Sequence, residues 1–400
     1  MNDSVSSGLG MPLAAGAQEL EHAQQPYHLR IKFTGSGSEY FRIWIVNLLL
    51  MLLTLGIYYP WAKVRRLRYF YGNTLVDDAP LDFHGNPLRM LKGYLLVALL
   101  LGLYSVAGHF SAMAGLLAFV IVMAIWPALL KSSMQFRLAN TSWRGLRFGF
   151  KGSLADAYQA MLPMFVPSLL ILGALAGVAD PEKPPPWYGP TFLALVLLSL
   201  AVTPWLLWKL KAFQHKHYAL ASLQTSFQAT VGSFYAVFFK TLGVLLLAVL
   251  LSSGLGMAFL FALKSNGQLA GLAGRAVTAV VAVLAMLGGV LAMLVVAKPY
   301  VISRMQNLVW TRTGNASLRF LSELRFKRLL WLTLKNWLLV ILTLGLYWPF
   351  AAVAIARLRL EAVTVKTRIS PDTLVQQIQG VEGEAAGDAA GDLFGLDIGL

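Results

Sequence analysis

Apolar residues along this chain gather into eight blocks, near 41–62, 90–112, 113–130, 158–179, 190–208, 237–263, 276–297 and 329–350. Most reach the twenty or so residues that a helix, rising about 1.5 Å per residue, needs to cross roughly 30 Å of hydrocarbon. The pattern predicts an all-α polytopic membrane protein of about eight hydrophobic helices. Blocks two and three are separated only by Gly108, His109 and Ser111, which predicts a tight turn. Small residues four apart, at Gly173/Gly177, Gly267/Gly271 and Gly288/Ala292, suit close helix packing more than a dedicated dimer face.

The polar stretches divide the chain into three. Residues 1–27 are rich in Ser, Gly, Ala and Gln without a long apolar core, so they read as a disordered lead with nothing cleavable. Residues 28–369 form one membrane domain of repeated units. Residues 370–400 read as a disordered acidic tail, with Glu382, Glu384, Asp388, Asp392 and Asp397 and no Lys or Arg from 381 onward.

Charge sets the sides. The connections at 63–92, 131–151, 209–216 and 298–328 carry 21 Lys or Arg, and the alternate connections at 109–113, 180–190 and 264–275 carry 3. Under the positive-inside rule the first set is cytoplasmic. The net charge of +15 is therefore read as a topology signal, and no nucleic-acid partner is expected. With 57% hydrophobic and only 13% charged residues, soluble classes are excluded. The absence of cysteine excludes disulfides, thiolate metal sites and cysteine nucleophiles.

Two blocks are copies of each other. Asn47 to Lys63 and Asn336 to Ala352 align without a gap: Leu53-Thr54-Leu55-Gly56 matches Leu342-Thr343-Leu344-Gly345, Pro60 matches Pro349, and Arg68 matches Arg357. Pro127, Pro204 and Pro299 also close apolar blocks, and basic residues follow each. Period-two stretches then begin at Phe70, Phe136, Tyr218 and Leu308, with turn signals such as Trp143-Arg144-Gly145, and predict short cytoplasmic β-hairpins. The flanks at 28–33 and 362–369 are also strand-like. A plain span fits the lengths of blocks one and eight, but it puts both chain ends outside, against the charge rule. The alternative is that both blocks are re-entrant, breaking at Thr-Leu-Gly, with both ends in the cytoplasm.

Candidate chemistry is sparse. All 18 acids fall in tails, loops or block ends, so no proton relay is expected at depth. His215 and His217 stand two apart without a third ligand, and Asp77, Asp78, Asp82 and His84 read as turn chemistry. No catalytic residue, metal or cofactor is expected, and no enzyme activity. Two features stand out. Asn47 and Asn336 form a candidate intramembrane polar pair beside the helix breaks at Gly56, Pro60, Gly345 and Pro349, either bonded across the pseudo-symmetric interface or lining a path. Lys63, Arg65, Arg66 and Arg68 are candidate contacts for anionic lipid headgroups, or simple orientation signals.

The stretch from Phe33 through TGSGSEYFRIWIVN, the run LLTLGIYYPWAKVRRLRYFYGNT ending at Thr74, and FHGNPLRMLKGY ending at Tyr94 resemble the YjgN family of bacterial inner-membrane proteins, a domain of unknown function. The resemblance covers most of 28–369 and weakens from 210 to 320, where Ala221-Ser222 replaces the usual Asn-Thr. It implies a multi-pass protein of the bacterial inner membrane and supplies no reaction or ligand. The duplicated blocks support a transporter-like or channel-like role for an unknown solute. The alternative is a non-transporting scaffold or lipid-interacting protein in the bilayer.

Overall fold

Strands and helices alternate along the chain in the computed structural model, which describes residues 27–178, 183–221, 223–265, 271–373, 375 and 376. Residues 1–26 of the lead, the tail beyond 376, Pro181 and Gly267 lie outside the described residues. Strand β1 (Tyr27–Phe33) leads into α1 (Gly37–Leu53) and α2 (Tyr59–Gly72), then β2 (Thr74–Val76) and β3 (Ala79–Phe83). Helices α3 (Pro87–Phe110) and α4 (Ala112–Ala139) precede β4 (Thr141–Trp143) and β5 (Leu146–Phe150). Helices α5 (Leu154–Ala176) and α6 (Tyr188–Lys216) precede β6 (Tyr218–Leu220), β7 (Leu223–Gln224) and β8 (Ser226–Phe227). Then come α7 (Val231–Ser265), α8 (Gly271–Ala292), a π-helical turn (Met293–Ala297), α9 (Lys298–Thr311), β9 (Thr313–Gly314) and β10 (Leu318–Ser322). Helices α10 (Phe326–Leu342) and α11 (Trp348–Leu360) lead to β11 (Val363–Thr367).

Local chemistry explains two of the helix-to-strand junctions. A helix ends with carbonyls that lack intrahelical donors. Here Asn73 Nδ2 and Thr74 Oγ1 donate to the carbonyls of Tyr69 and Phe70 at 2.9 and 2.7 Å, and Asn140 and Thr141 donate to Phe136 and Arg137 at 2.7 and 2.8 Å. The turns that follow, Asp77-Asp78 (φ 51° and 57°) and Arg144-Gly145 (φ 48° and 81°), are left-handed at both positions, as two-residue connections between twisted strands require. The return helices start on side-chain caps: Ser36 accepts from the Glu39 N–H, Asn86 from Leu88, and Ser153 forms a reciprocal box with Asp156.

All eleven strands form one antiparallel sheet in the order β7-β6-β5-β4-β3-β2-β1-β11-β10-β9-β8. Its two edge strands are consecutive in the chain. Gln224 pairs with Ala219, Ser226 pairs with Gly314, and Thr225 between them donates its N–H to the Tyr218 carbonyl at 2.8 Å. One five-residue segment thus joins both edges and closes the sheet into a ring. Leu29, Trp143, Leu146, Leu318 and Val365, from five strands around that ring, fill it as one apolar cluster. Closure removes open edges.

The ring is built from five strand pairs, and the fifth is made by the two ends of the chain. β1 pairs with β11 over Tyr27↔Thr367 to Arg30↔Thr364. Both flanking strands therefore lie in the same sheet as the four internal pairs. The helices above it also close on themselves: each packs on its neighbour in the chain, and α11 packs on α1.

Six helices, Pro87–Phe110, Met113–Ala139, Leu154–Leu175, Tyr188–Lys216, Val231–Ser265 and Ala273–Thr311, are long and apolar enough to cross a membrane. Among the described residues six helices meet this length and composition, against the expected eight or so. Blocks 41–62 and 329–350 each break into two helices of 17 and 14 and of 17 and 13 residues, about 20 to 26 Å long and short of a bilayer. The break is the same in both. Thr54 Oγ1 donates to the Leu50 carbonyl at 2.7 Å and accepts the Tyr58 N–H at 3.0 Å; Thr343 does so with Leu339 and Tyr347 at 2.7 and 3.0 Å. The chain then passes through left-handed Leu55 and Gly56 (φ 48° and 90°), and Leu344 and Gly345 (φ 49° and 94°). This reversal returns each block to the sheet it left. Of the small-residue pairs, a Cβ on Gly177 would stand 3.3 Å from the Trp187 ring, whereas one on Gly173 would meet nothing within 4 Å.

Candidate functional site

Five helices, α2, α4, α6, α9 and α11, run toward the ring, and each carries one proline fourteen residues before the first strand residue that follows it: Pro60, Pro127, Pro204, Pro299 and Pro349. All five prolines are fully buried. Pro127 and Pro204 lie inside their helices and leave a carbonyl of the preceding turn without a donor, whereas Pro60, Pro299 and Pro349 stand in the first turn, where no backbone donor is missed. On a helix, positions three, seven and ten after a given residue lie on its face. In this chain six of those fifteen positions are polar, Lys63, Arg137, Lys211, Gln214, Gln306 and Arg359, with at least one on each of the five helices, and the other nine are apolar.

The structure brings these side chains together between the proline layer and the ring. Arg359 Nε donates to Gln306 Oε1 at 2.8 Å, and Gln306 Nε2 donates to the Arg359 carbonyl at 2.9 Å. Lys211 Nζ donates to Gln214 Oε1 at 2.9 Å. Arg137 and Arg359 both act electrostatically on Lys211, and Arg137 and Arg66 act on Lys63. Lys211 and Arg359 thus act on each other from α6 and α11, two helices that are not neighbours in the helix ring. Burial, followed by the charges of Arg137 and Arg66, holds the Lys63 pKa below its ordinary value, and burial does the same for Arg359. Lys63, Arg66, Arg137 and Arg359 nevertheless keep accessible surface. All four are exposed, as side chains facing solvated space are.

Among the described residues, the ion pairs are Lys32–Asp78 at 2.7 Å, Arg144 with Asp77 at 2.9 Å and with Asp372, and His217–Asp156 at 3.6 Å. None involves Lys63, Arg66, Arg137, Lys211 or Arg359. Like charges gathered without a counter-charge repel one another, so the cluster stores an attraction for negative charge.

The residues singled out by sequence are distributed unevenly around this cluster. Lys63, Arg65, Arg66 and Arg68 are all exposed; Lys63 and Arg66 act electrostatically within the cluster, and Arg65 lies over the Tyr58 ring at 6.0 Å. Asn47 and Asn336 are buried, at 7% and 3% exposure, and Asn47 Oδ1 and Asn336 Nδ2 have no hydrogen-bond partner. The acceptor and donor that could close a bond across the interface thus leave it unmade. Gly56 and Gly345 sit at the two breaks, and Pro60 and Pro349 in the proline layer. His215 is held by the rings of Tyr218 and Trp310 at 5.0 and 5.2 Å, and His217 Nδ1 lies 2.8 Å from the Phe213 carbonyl. Asp77 and Asp78 bind Arg144 and Lys32, and His84 Nε2 lies 2.9 Å from Ser142 Oγ. Sequence reading missed Arg137, Lys211, Gln306 and Arg359. Their placement seven or ten residues after a proline was the available signal.

A bacterial family described as "Bacterial protein of unknown function (DUF898)" matches residues 28–393. The chain is similar to Inner membrane protein YjgN of Salmonella typhimurium (strain LT2), with 34% identity over 141 residues, 35% of either chain. It is also similar to Inner membrane protein YjgN of Escherichia coli O157:H7 and of strain K12, each with 28% identity over 39% of either chain. The aligned stretches thus span little more than a third of the length of these curated relatives. No solved structure matches the chain.

Proposed function

Because this chain belongs to the DUF898 family of bacterial proteins and is a multi-pass protein of the inner membrane, we propose that it handles a solute in a transporter-like way, without catalysing a reaction on it. In this reading the strand ring and both chain ends are cytoplasmic, as the 21 basic residues on that side favour. Blocks one and eight are re-entrant. The convergence of side chains from α2, α4, α6, α9 and α11 on one polar cluster carries the proposal. Fully buried prolines bound the cluster on one side and the apolar filling of the ring bounds it on the other, which fits an occluded transporter better than an open channel.

The cysteine-free chain allows a direct test. With Gln214→Cys as the only thiol, a membrane-impermeant maleimide added to right-side-out and to inverted vesicles is expected to label the cluster from the cytoplasmic side and, in a slower fraction, from the outside. Labelling from neither side would reject a solute path. The second reading, a lipid-binding scaffold, draws on a recess of about 680 Å³ whose lining includes Arg304, Asn307, Arg325, Lys327 and Arg328 beside the single acid Glu323, a net positive charge that suits anionic headgroups.

A further inference from the structure

We propose that Lys63, Arg66, Arg137, Lys211 and Arg359 form a binding site for a small oxyanion, bearing phosphate or carboxylate, held among the five proline-containing helices. The proposal rests on the solute-path reading and names its substrate class.

Three observations carry it. The cations stand on four helices of the closed ring, and Arg137 and Arg359 lie within electrostatic reach of Lys211 as Arg137 and Arg66 do of Lys63, so the grouping cannot be assigned to one basic surface run. The groups that position them are neutral. Gln306 holds the Arg359 guanidinium through Nε at 2.8 Å, and Gln214 holds Lys211 at 2.9 Å. A glutamate at either position would give a cation its counter-charge internally; a glutamine orients the cation and leaves its charge unspent. Finally, the donors left over suit oxygen acceptors. With Nε occupied, the terminal nitrogens of Arg359 form a planar pair that matches two oxygens of a carboxylate or phosphate, while Lys63 and Lys211 add point charges.

The same chemistry could be supplied by a free anion or by the headgroup of an anionic lipid, and the test separates the two. The purified full chain is placed in nanodiscs of phosphatidylcholine alone, or with one third phosphatidylglycerol, and melted against inorganic phosphate, sulfate and succinate at constant ionic strength in chloride, which removes general screening. Saturable stabilisation in phosphatidylcholine, weakened about tenfold or more in apparent affinity by Arg137→Gln, Lys211→Gln and Arg359→Gln and unchanged by Arg147→Gln, supports a free anion. Stabilisation that appears only with phosphatidylglycerol and is lost with the same three variants supports the headgroup.

Gln306→Glu guards against misfolded variants. It is expected to raise the melting temperature without added anion and to abolish the anion response. No response to any anion or lipid, together with an unchanged melting temperature for Gln306→Glu, would overturn the proposal. Labelling of Gln214→Cys from both sides without any anion response would overturn the anion site and leave the solute path standing. An anion response with labelling from one side only would support the anion site and end the transport reading.

Discussion

At the residue scale, backbone hand and buried amides decide most of what can be tested. Gly56 and Gly345 occupy left-handed positions (φ 90° and 94°) that a side chain strains. Gly56→Ala and Gly345→Ala are each expected to cost about 1 to 2 kcal/mol, read as a lower melting temperature in detergent, because the two breaks are geometrically equivalent. Gly314 is constrained differently. A Cβ there would lie 2.6 Å from the Leu318 carbonyl oxygen, on the strand that accepts the closing segment. Gly314→Ala should therefore destabilise by about 1 to 3 kcal/mol and raise hydrogen exchange at Ser226 and Phe227. The duplication made Asn47 and Asn336 visible in the sequence, since the two blocks align without a gap. Their unpaired atoms were not visible, because whether two amides meet depends on helix rotation. An unbonded buried polar atom costs about 1 to 3 kcal/mol, so Asn336→Leu is expected to be neutral or stabilising in the same assay.

At the element scale, the two broken blocks carry the main difference from the hydropathy pattern. A run of twenty apolar residues satisfies a length criterion whether it spans or doubles back, and Leu55 and Leu344 at the tips are 94% and 95% exposed, as apolar tips held in lipid would be. The breaks were legible as Thr-Leu-Gly followed by an aromatic residue and proline. Their consequence depended on the β1–β11 pair, which no local signal announces. If both chain ends are cytoplasmic, single cysteines at exposed Ser38 and Arg368 will stay unlabelled by an impermeant maleimide in intact cells and react once the cells are opened. Labelling of both in intact cells would restore plain spans. The helix-to-strand junctions lay closer to the sequence surface: Asn-Thr after each of two descending helices marks where side chains replace the missing backbone donors.

At the scale of the whole molecule, the protein is a ring of helices on a closed ring of strands, with the chain ends supplying the fifth strand pair. Leu29 on β1 is 4% exposed in the apolar filling, so Leu29→Ala should cost about 2 to 5 kcal/mol and loosen strands far from it in sequence, read by hydrogen exchange across β4, β5 and β10. The sequence by itself determined the membrane class, the apolar blocks, the duplicated breaks and the strand signals, because hydropathy, helix ends and turn residues act within a few positions of the chain. Tertiary structure alone decided that two blocks double back, that the first and last strands pair, and that lysine and arginine residues on different helices come within electrostatic reach of one another. Charges that look like orientation signals along the chain become a cluster only when ring closure sets the rotation of every helix, and that closure depends on contacts between residues more than three hundred positions apart.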